Sequence, residues 1–187
     1  MLIFTKMKKD IERTINLPSD LSASLNKNLL TIKGNGKDIS RKLSANNVNI
    51  TIESSNKIII KAKSATKRES KMIGTICAHI NNMIKGLVEG FEYKMEICNV
   101  HFPMNVKVDG DSIVIKSFLG EKTQRVARIL PNVDVSVKSN QITIKSLFIE
   151  NAGQTAANIE KATRVTNRDR RIFQDGIFIT EKNGRKI

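Results

Sequence analysis

Met72-Ile73-Gly74-Thr75-Ile76-Cys77-Ala78-His79-Ile80-Asn81-Asn82-Met83-Ile84-Lys85-Gly86-Leu87-Val88 is the stretch around which the chain is organised. Its apolar residues recur at the helical period: Met72, Ile73, Ile76, Cys77, Ile80, Met83, Ile84, Leu87 and Val88. Gly74, Ala78, Asn82 and Lys85 fall on the opposite side, so the stretch predicts one amphipathic helix. Gly90 stands where a C-terminal cap belongs. After it the period changes to two, and a strand through Tyr93 toward Pro103 begins.

On either side of this helix the same order of elements occurs. Before it, residues 11–17 read as a strand stopped by Pro18. Residues 21–25 and 29–33 form a hairpin about Asn26-Lys27-Asn28, and residues 39–43 form a weak strand. Val48, Ile50 and Ile52 then alternate, a turn follows through Ser54-Ser55-Asn56, and Ile58-Ile59-Ile60 is a buried strand. Residues 61–69 read as a basic loop. After the helix, residues 105–108 turn through Asp109-Gly110-Asp111 into residues 113–116. Val133, Val135 and Val137 alternate, and residues 140–145 run back. A second helical run is expected over 154–164, then a polar turn, a strand at 177–179 and a basic end.

The repeat predicts an α+β protein of two tandem, duplicated small domains, 1–90 and 91–187. Each would be an antiparallel sheet covered by one helix. Ile32 should correspond to Ile115, Ile50 to Val135 and Ile59 to Thr143 or its neighbour.

The 187 residues carry 32 Lys and Arg against 18 Asp and Glu, a net charge of +14. Such a surplus repels itself unless a polyanion neutralises it, and nucleic acid is the first candidate. No apolar run is long enough to span a bilayer. The order of residues before Lys9 is wrong for a secretory signal. Cys77 and Cys98 read as reduced core residues of an intracellular protein, and no spacing suggests zinc.

Little in the sequence suggests catalysis. Gly34-Asn35-Gly36-Lys37 lacks the first glycine and the Ser or Thr of a phosphate loop. Its glycines read instead as a turn at positive φ, flanked by Lys33 and Lys37. His79 and His101 have no nucleophile at a readable spacing. They read as structural, although His101 could stack on a base. No paired acids stand out, so neither an enzyme, a metal site nor a cofactor is expected.

What remains is cationic surface, and it flanks turns and element ends. The clusters are Lys61, Lys63, Lys67, Arg68 and Lys71; Lys116, Lys122, Arg125 and Arg128; Arg164, Arg168, Arg170 and Arg171; and Lys182, Arg185 and Lys186. This pattern suits docking on folded RNA, because phosphate contacts position a protein without reading sequence. Ile172 and Phe173 are expected to pack inward and anchor the arginine turn.

Several long blocks resemble one family. They are residues 75–86, Gly90-Phe91-Glu92-Tyr93-Lys94-Met95, His101-Phe102-Pro103-Met104-Asn105-Val106, Phe118-Leu119-Gly120-Glu121-Lys122 and Asn167-Arg168-Asp169-Arg170-Arg171-Ile172-Phe173-Gln174-Asp175-Gly176-Ile177-Phe178. They resemble the large-subunit ribosomal protein family called L-six universally and L-nine in eukaryotes, and the eukaryotic type fits best. The resemblance implies a structural, rRNA-binding role near the sarcin-ricin loop and the translation-factor site, mainly through the second domain. It also implies neighbouring ribosomal proteins as partners, translation factors nearby, no membrane, and a cytoplasmic ribosome with nuclear or nucleolar assembly in a eukaryote. The rRNA-contacting set expected is Lys33, Lys37, Lys67, Arg68, Lys71, Lys122, Arg125, Arg128, Arg164, Arg168, Arg170, Arg171, Lys182, Arg185 and Lys186. The alternative is a free-standing RNA-binding regulator or assembly factor on the same fold. Two features depart from the family pattern: a short segment at 61–70 without Trp, and Asn183 where Gly is usual.

Overall fold

The structure is a computed structural model, and it describes residues 9–34, 36–43, 47–53 and 56–187. The expectations for the N-terminal start, for Asn35 and for the Ser54-Ser55 turn lie outside these residues. The chain divides into two compact units, Met1–Glu89 and Gly90–Ile187.

In the first unit the strands are β1 (Lys9–Asn16), β2 (Leu21–Asn26), β3 (Leu29–Gly34), β4 (Lys37–Lys42), β5 (Asn49–Glu53) and β6 (Lys57–Ala65), followed by helix α1 (Lys67–Val88). They form two antiparallel sheets, ordered β1-β6-β5 and β2-β3-β4. The alternation is visible in burial: Leu30 and Ile32 on β3 and Ile39 on β4 are buried, while Lys33 and Ser40 face solvent. The apolar stripe of α1 is buried through Ile73, Ile76, Ile80, Met83 and Leu87.

The second unit holds β7 (Phe91–Cys98), β8 (Asn105–Asp109), β9 (Ser112–Lys116), β10 (Arg125–Arg128), β11 (Val133–Lys138) and β12 (Gln141–Ser146). Helix α2 (Ile149–Ala162) follows, then β13 (Gly176–Lys182) and β14 (Arg185–Lys186). Its sheets are β10-β9-β8 and β11-β12-β7-β13-β14. The strand orders of the first unit are thus repeated, and β13 and β14 extend the second sheet beyond β7.

Register carries the repeat to single residues. Ile32 lies opposite Ala23 and Ile39, and Ile115 lies opposite Val106 and Arg125. Across the other sheets the row Arg13, Ile60, Ile50 matches the row Tyr93, Ile144, Val135.

The structure differs from the sequence reading in several places. Each half has two sheets rather than one. Residues 61–65 are strand, not loop, because Ala62 and Ala65 continue the buried side of β6 while Lys61 and Lys63 point outward. Helix α1 therefore starts five residues before Met72, behind a capping box. The Thr66 side chain accepts from the Arg68 N–H, and the Glu69 carboxylate accepts from the Thr66 N–H at 2.9 Å. Helix α2 starts at Ile149 rather than 154. Its buried face is built largely of the small residues Ala152, Thr155 and Ala156, which give a weak apolar signal. The basic end is a hairpin rather than a tail. Asn183 and Gly184 turn at φ 49° and 79° between Lys182 and Arg185, the left-handed pair that a two-residue hairpin requires.

Two glycines act for different reasons. Gly36 has φ +71°, as a turn glycine should. Gly34 has no such angle, but a Cβ there would stand 1.9 Å from the Leu21 side chain. Close approach, not backbone freedom, requires glycine at that position.

Candidate nucleic-acid interface

The site is the outer surface of the segment that follows α2. Asn167 turns at φ 59°, and the next residues fold over Asp169. The Asp169 carbonyl accepts from the N–H of Ile172 at 3.1 Å and of Phe173 at 2.9 Å. Its carboxylate accepts from the Arg171 N–H at 3.0 Å and from the Arg171 guanidinium. That guanidinium, with the Arg171 N–H, holds the Asp169 carboxyl below its usual range. Arg168 lies over the Phe173 ring, 4.8 Å from its centroid. His101 stacks on the same ring with centroids 4.8 Å apart and an interplanar angle of 27°.

Asp175 fixes the other end of the turn. It is buried, and its carboxylate accepts from the N–H groups of Val100 and His101 at 2.8 and 3.0 Å. The His101 ring contributes Nδ1 at 2.6 Å. Burial pushes this carboxyl up, but the hydrogen bonds from His101 and Val100 outweigh it and leave its pKa below the usual 3.8. The folded state therefore holds this proton more weakly than the unfolded chain does. The stability it contributes is present above the unfolded pKa of about 3.9 and is lost as pH falls through the lower folded value. Asp175→Asn should lower the urea midpoint at pH 7. The gap between parent and variant should narrow below about pH 4. A gap that stays constant down to pH 2 would remove the carboxylate from this role.

The expected inward packing holds for one residue of the pair. Phe173 is half-buried against the core, but Ile172 is 62 % exposed. The anchor is the Asp169 turn together with Phe173.

The predicted cations separate by what they touch. Arg125 is not a free surface charge. It makes a two-point pair with Glu121 at 2.6 and 2.9 Å. It also donates to the carbonyls of Ala162 and Arg164 at 2.9 and 3.2 Å, and lies 4.2 Å over the Phe118 ring. It clips the β10 edge to the end of α2, and its hydrogen bond holds the Glu121 carboxyl low. Arg171 has its pair with Asp169 yet remains 90 % exposed. Arg164, Arg168 and Arg170 are exposed and have no ion pair among the described residues.

Elsewhere, Lys122 is exposed in the loop before β10, and Arg128 is exposed at that strand's end. Lys182, Arg185 and Lys186 stud the terminal hairpin. Asn183 ties it down, accepting from the Glu92 N–H at 3.1 Å and donating to the Glu92 carbonyl at 2.8 Å. In the first unit, Lys33 and Lys37 flank the β3–β4 turn. Lys67, Arg68 and Lys71 lie in the opening turns of α1.

Three of the arginines do come together. Arg164, Arg170 and Arg171 line a groove of about 590 Å³, with Phe173, Val165 and Phe178 as its apolar lining. Lys161 on α2 joins them, a residue the sequence reading did not select. Its place in the last turn of a helix, one residue before the end, was the available signal. Lys116 and Lys122 share a separate shallow recess.

The remaining candidates take structural places. His101 is paired with Asp175, and His79 lies 3.5 Å from the Arg41 guanidinium. Cys77 and Cys98 are free, half-buried thiols whose pKa values burial pushes up. Among the described residues no group of His, Cys, Asp and Glu could hold a metal ion, and no helix is long and apolar enough to cross a membrane.

Comparison with known proteins places the chain. The family model for "Ribosomal protein L6" matches twice, over residues 17–90 and 102–176, one match in each half. The large ribosomal subunit protein uL6 of Methanosarcina mazei is 43 % identical over 176 residues, 94 % of this chain and 99 % of that protein. Its counterpart in Methanobrevibacter smithii is 44 % identical over 92 % of this chain and 96 % of its own length. That of Methanococcus vannielii is 41 % identical over 95 % and 97 %. These relatives are archaeal, so they lend no support to a eukaryotic type or to nuclear assembly.

Proposed function

The chain belongs to the ribosomal protein L6 family, and on that premise we propose that it is a structural constituent of the large ribosomal subunit that binds rRNA mainly through its second half. The observation that carries this is the fixed turn at 168–171. It presents arginines held by Asp169 and Phe173, beside the cations of α2 and of the terminal hairpin. A fixed turn loses little entropy on binding, and guanidinium groups match phosphate oxygens in two-point geometry. The first half would contribute through Lys33, Lys37, Lys67, Arg68 and Lys71. We place the contact near the sarcin-ricin loop and the translation-factor site, with neighbouring ribosomal proteins beside it, on the strength of family membership. No feature of the described residues requires a substrate or cofactor.

Cosedimentation tests the role. A tagged copy expressed in cells should pellet with large subunits and stay with them through a salt wash that strips loosely bound factors. In an assembled particle several RNA and protein contacts act together, so release is slow. Recovery only in particles that are still being assembled would point to an assembly factor instead.

A further inference from the structure

The groove beside the arginine turn has a chemistry that phosphate binding alone does not need. Its volume, about 590 Å³, lies within the range of roughly 300–1,000 Å³ typical of small-ligand pockets. Its apolar lining comes from Ala157, Val165, Phe173 and Phe178, and four cations, Lys161, Arg164, Arg170 and Arg171, line it as well. Of the two acids in the lining, Asp175 has its carboxylate taken up by Val100 and His101. That leaves Glu160 against four positive charges, one of which, Arg171, is shared with Asp169. Phe173 is held in place by the His101 stack and by Arg168, so its ring is already positioned.

An apolar, aromatic lining with cations around it suits a flat ring that carries a phosphate. We infer that this groove receives a single unpaired nucleotide of the rRNA, its base on the exposed Phe178 ring beside Phe173, whose own ring carries His101 and Arg168, and its phosphate on Arg170 and Arg171. The inference rests on the rRNA-binding reading above. A paired base cannot enter, because its faces are already stacked and its edge is occupied; recognition of this kind targets bulges and loops.

The test uses the full chain and two RNA hairpins that differ only in one bulged adenosine, with binding followed by fluorescence anisotropy at low salt. The parent should prefer the bulged hairpin about tenfold, as one base–aromatic stack typically allows. Ala157→Trp fills the groove from the exposed side of α2 without changing charge. Phe178→Ala removes part of the aromatic lining. Both should bind the fully paired hairpin as the parent does and lose the preference. Thermal melts identify a variant that is destabilised, and the other then carries the result. A parent that binds both hairpins equally, or a well-folded variant that keeps the preference, overturns the nucleotide site. Arg170→Glu with Arg171→Glu separates the two readings. If it weakens both hairpins alike while the parent shows no preference, the rRNA surface stands and only the nucleotide site fails. If it leaves both affinities unchanged, the surface itself is misplaced.

Discussion

Replacing Arg168, Arg170 and Arg171 together with Glu should abolish incorporation of the protein into large subunits while leaving its fold almost intact. All three side chains are exposed. Among the described residues the only ion pair lost is that of Arg171 with Asp169, and a pair so exposed to solvent contributes little. The Arg168 contact with Phe173 adds a term of about 0.5–1 kcal/mol typical of exposed cation–π pairs. The melting temperature should therefore fall by only a few degrees. For binding, each reversal removes an attraction to phosphate and adds a repulsion, on a turn already held in one shape. The same change at Lys61, Lys63 and Lys67 should do less. Lys61 already has a partner in Glu12 at 3.1 Å, and none of the three lies in the arginine groove. Normal incorporation of the arginine variant would mean that the main RNA surface lies elsewhere.

Ile80→Asp should unfold the first half. Ile80 is fully buried on the inner face of α1, with Ile76 and Met83 a turn away on the same face. A carboxylate there would be ionised with no partner, or protonated at a cost. Either way several kcal/mol is typical, a large share of the roughly 5–15 kcal/mol that stabilises a domain. With an m-value of about 1–3 kcal/mol/M, the urea midpoint of this half should drop by more than about 1 M or disappear. An unchanged midpoint would contradict the burial of this face.

The fold was legible where apolar periodicity is strong. The stripe from Ile73 to Leu87 and the alternation of Leu30 and Ile32 are direct records of burial. Their repetition in Ile113, Ile115, Ile142 and Ile144 disclosed the duplication. Legibility failed where composition and structure point in different directions. Residues 61–69 look like a basic loop, yet two alanines are enough to hold β6, and Thr66 with Glu69 starts a helix among lysines. The Asn183-Gly184 pair is a strong hairpin signal set among charged residues that read as a basic end. β10 has a single inward apolar residue, Ala127, and so gave no pattern.

The candidate site was legible as charge but not as geometry. Arg164, Arg168, Arg170 and Arg171 lie on the surface as their clustering suggested. Arg125 does not belong with them, because the carbonyls that hold it come from residues 162 and 164, far away in sequence. Lys161 and Phe178 reach the groove only through the packing of α2 and β13. No spacing rule connects those positions.

On the reading proposed here, cationic surface holds this protein on RNA. The most direct test of that reading is the affinity of the full chain for large-subunit rRNA measured against salt. An isolated complex has mainly phosphate contacts to sustain it. If about six phosphates are neutralised, affinity should fall on the order of a thousandfold between 50 and 200 mM salt, with a smaller slope in the arginine variant. An affinity that is flat across that range would mean that something other than the protein's positive charge holds the RNA.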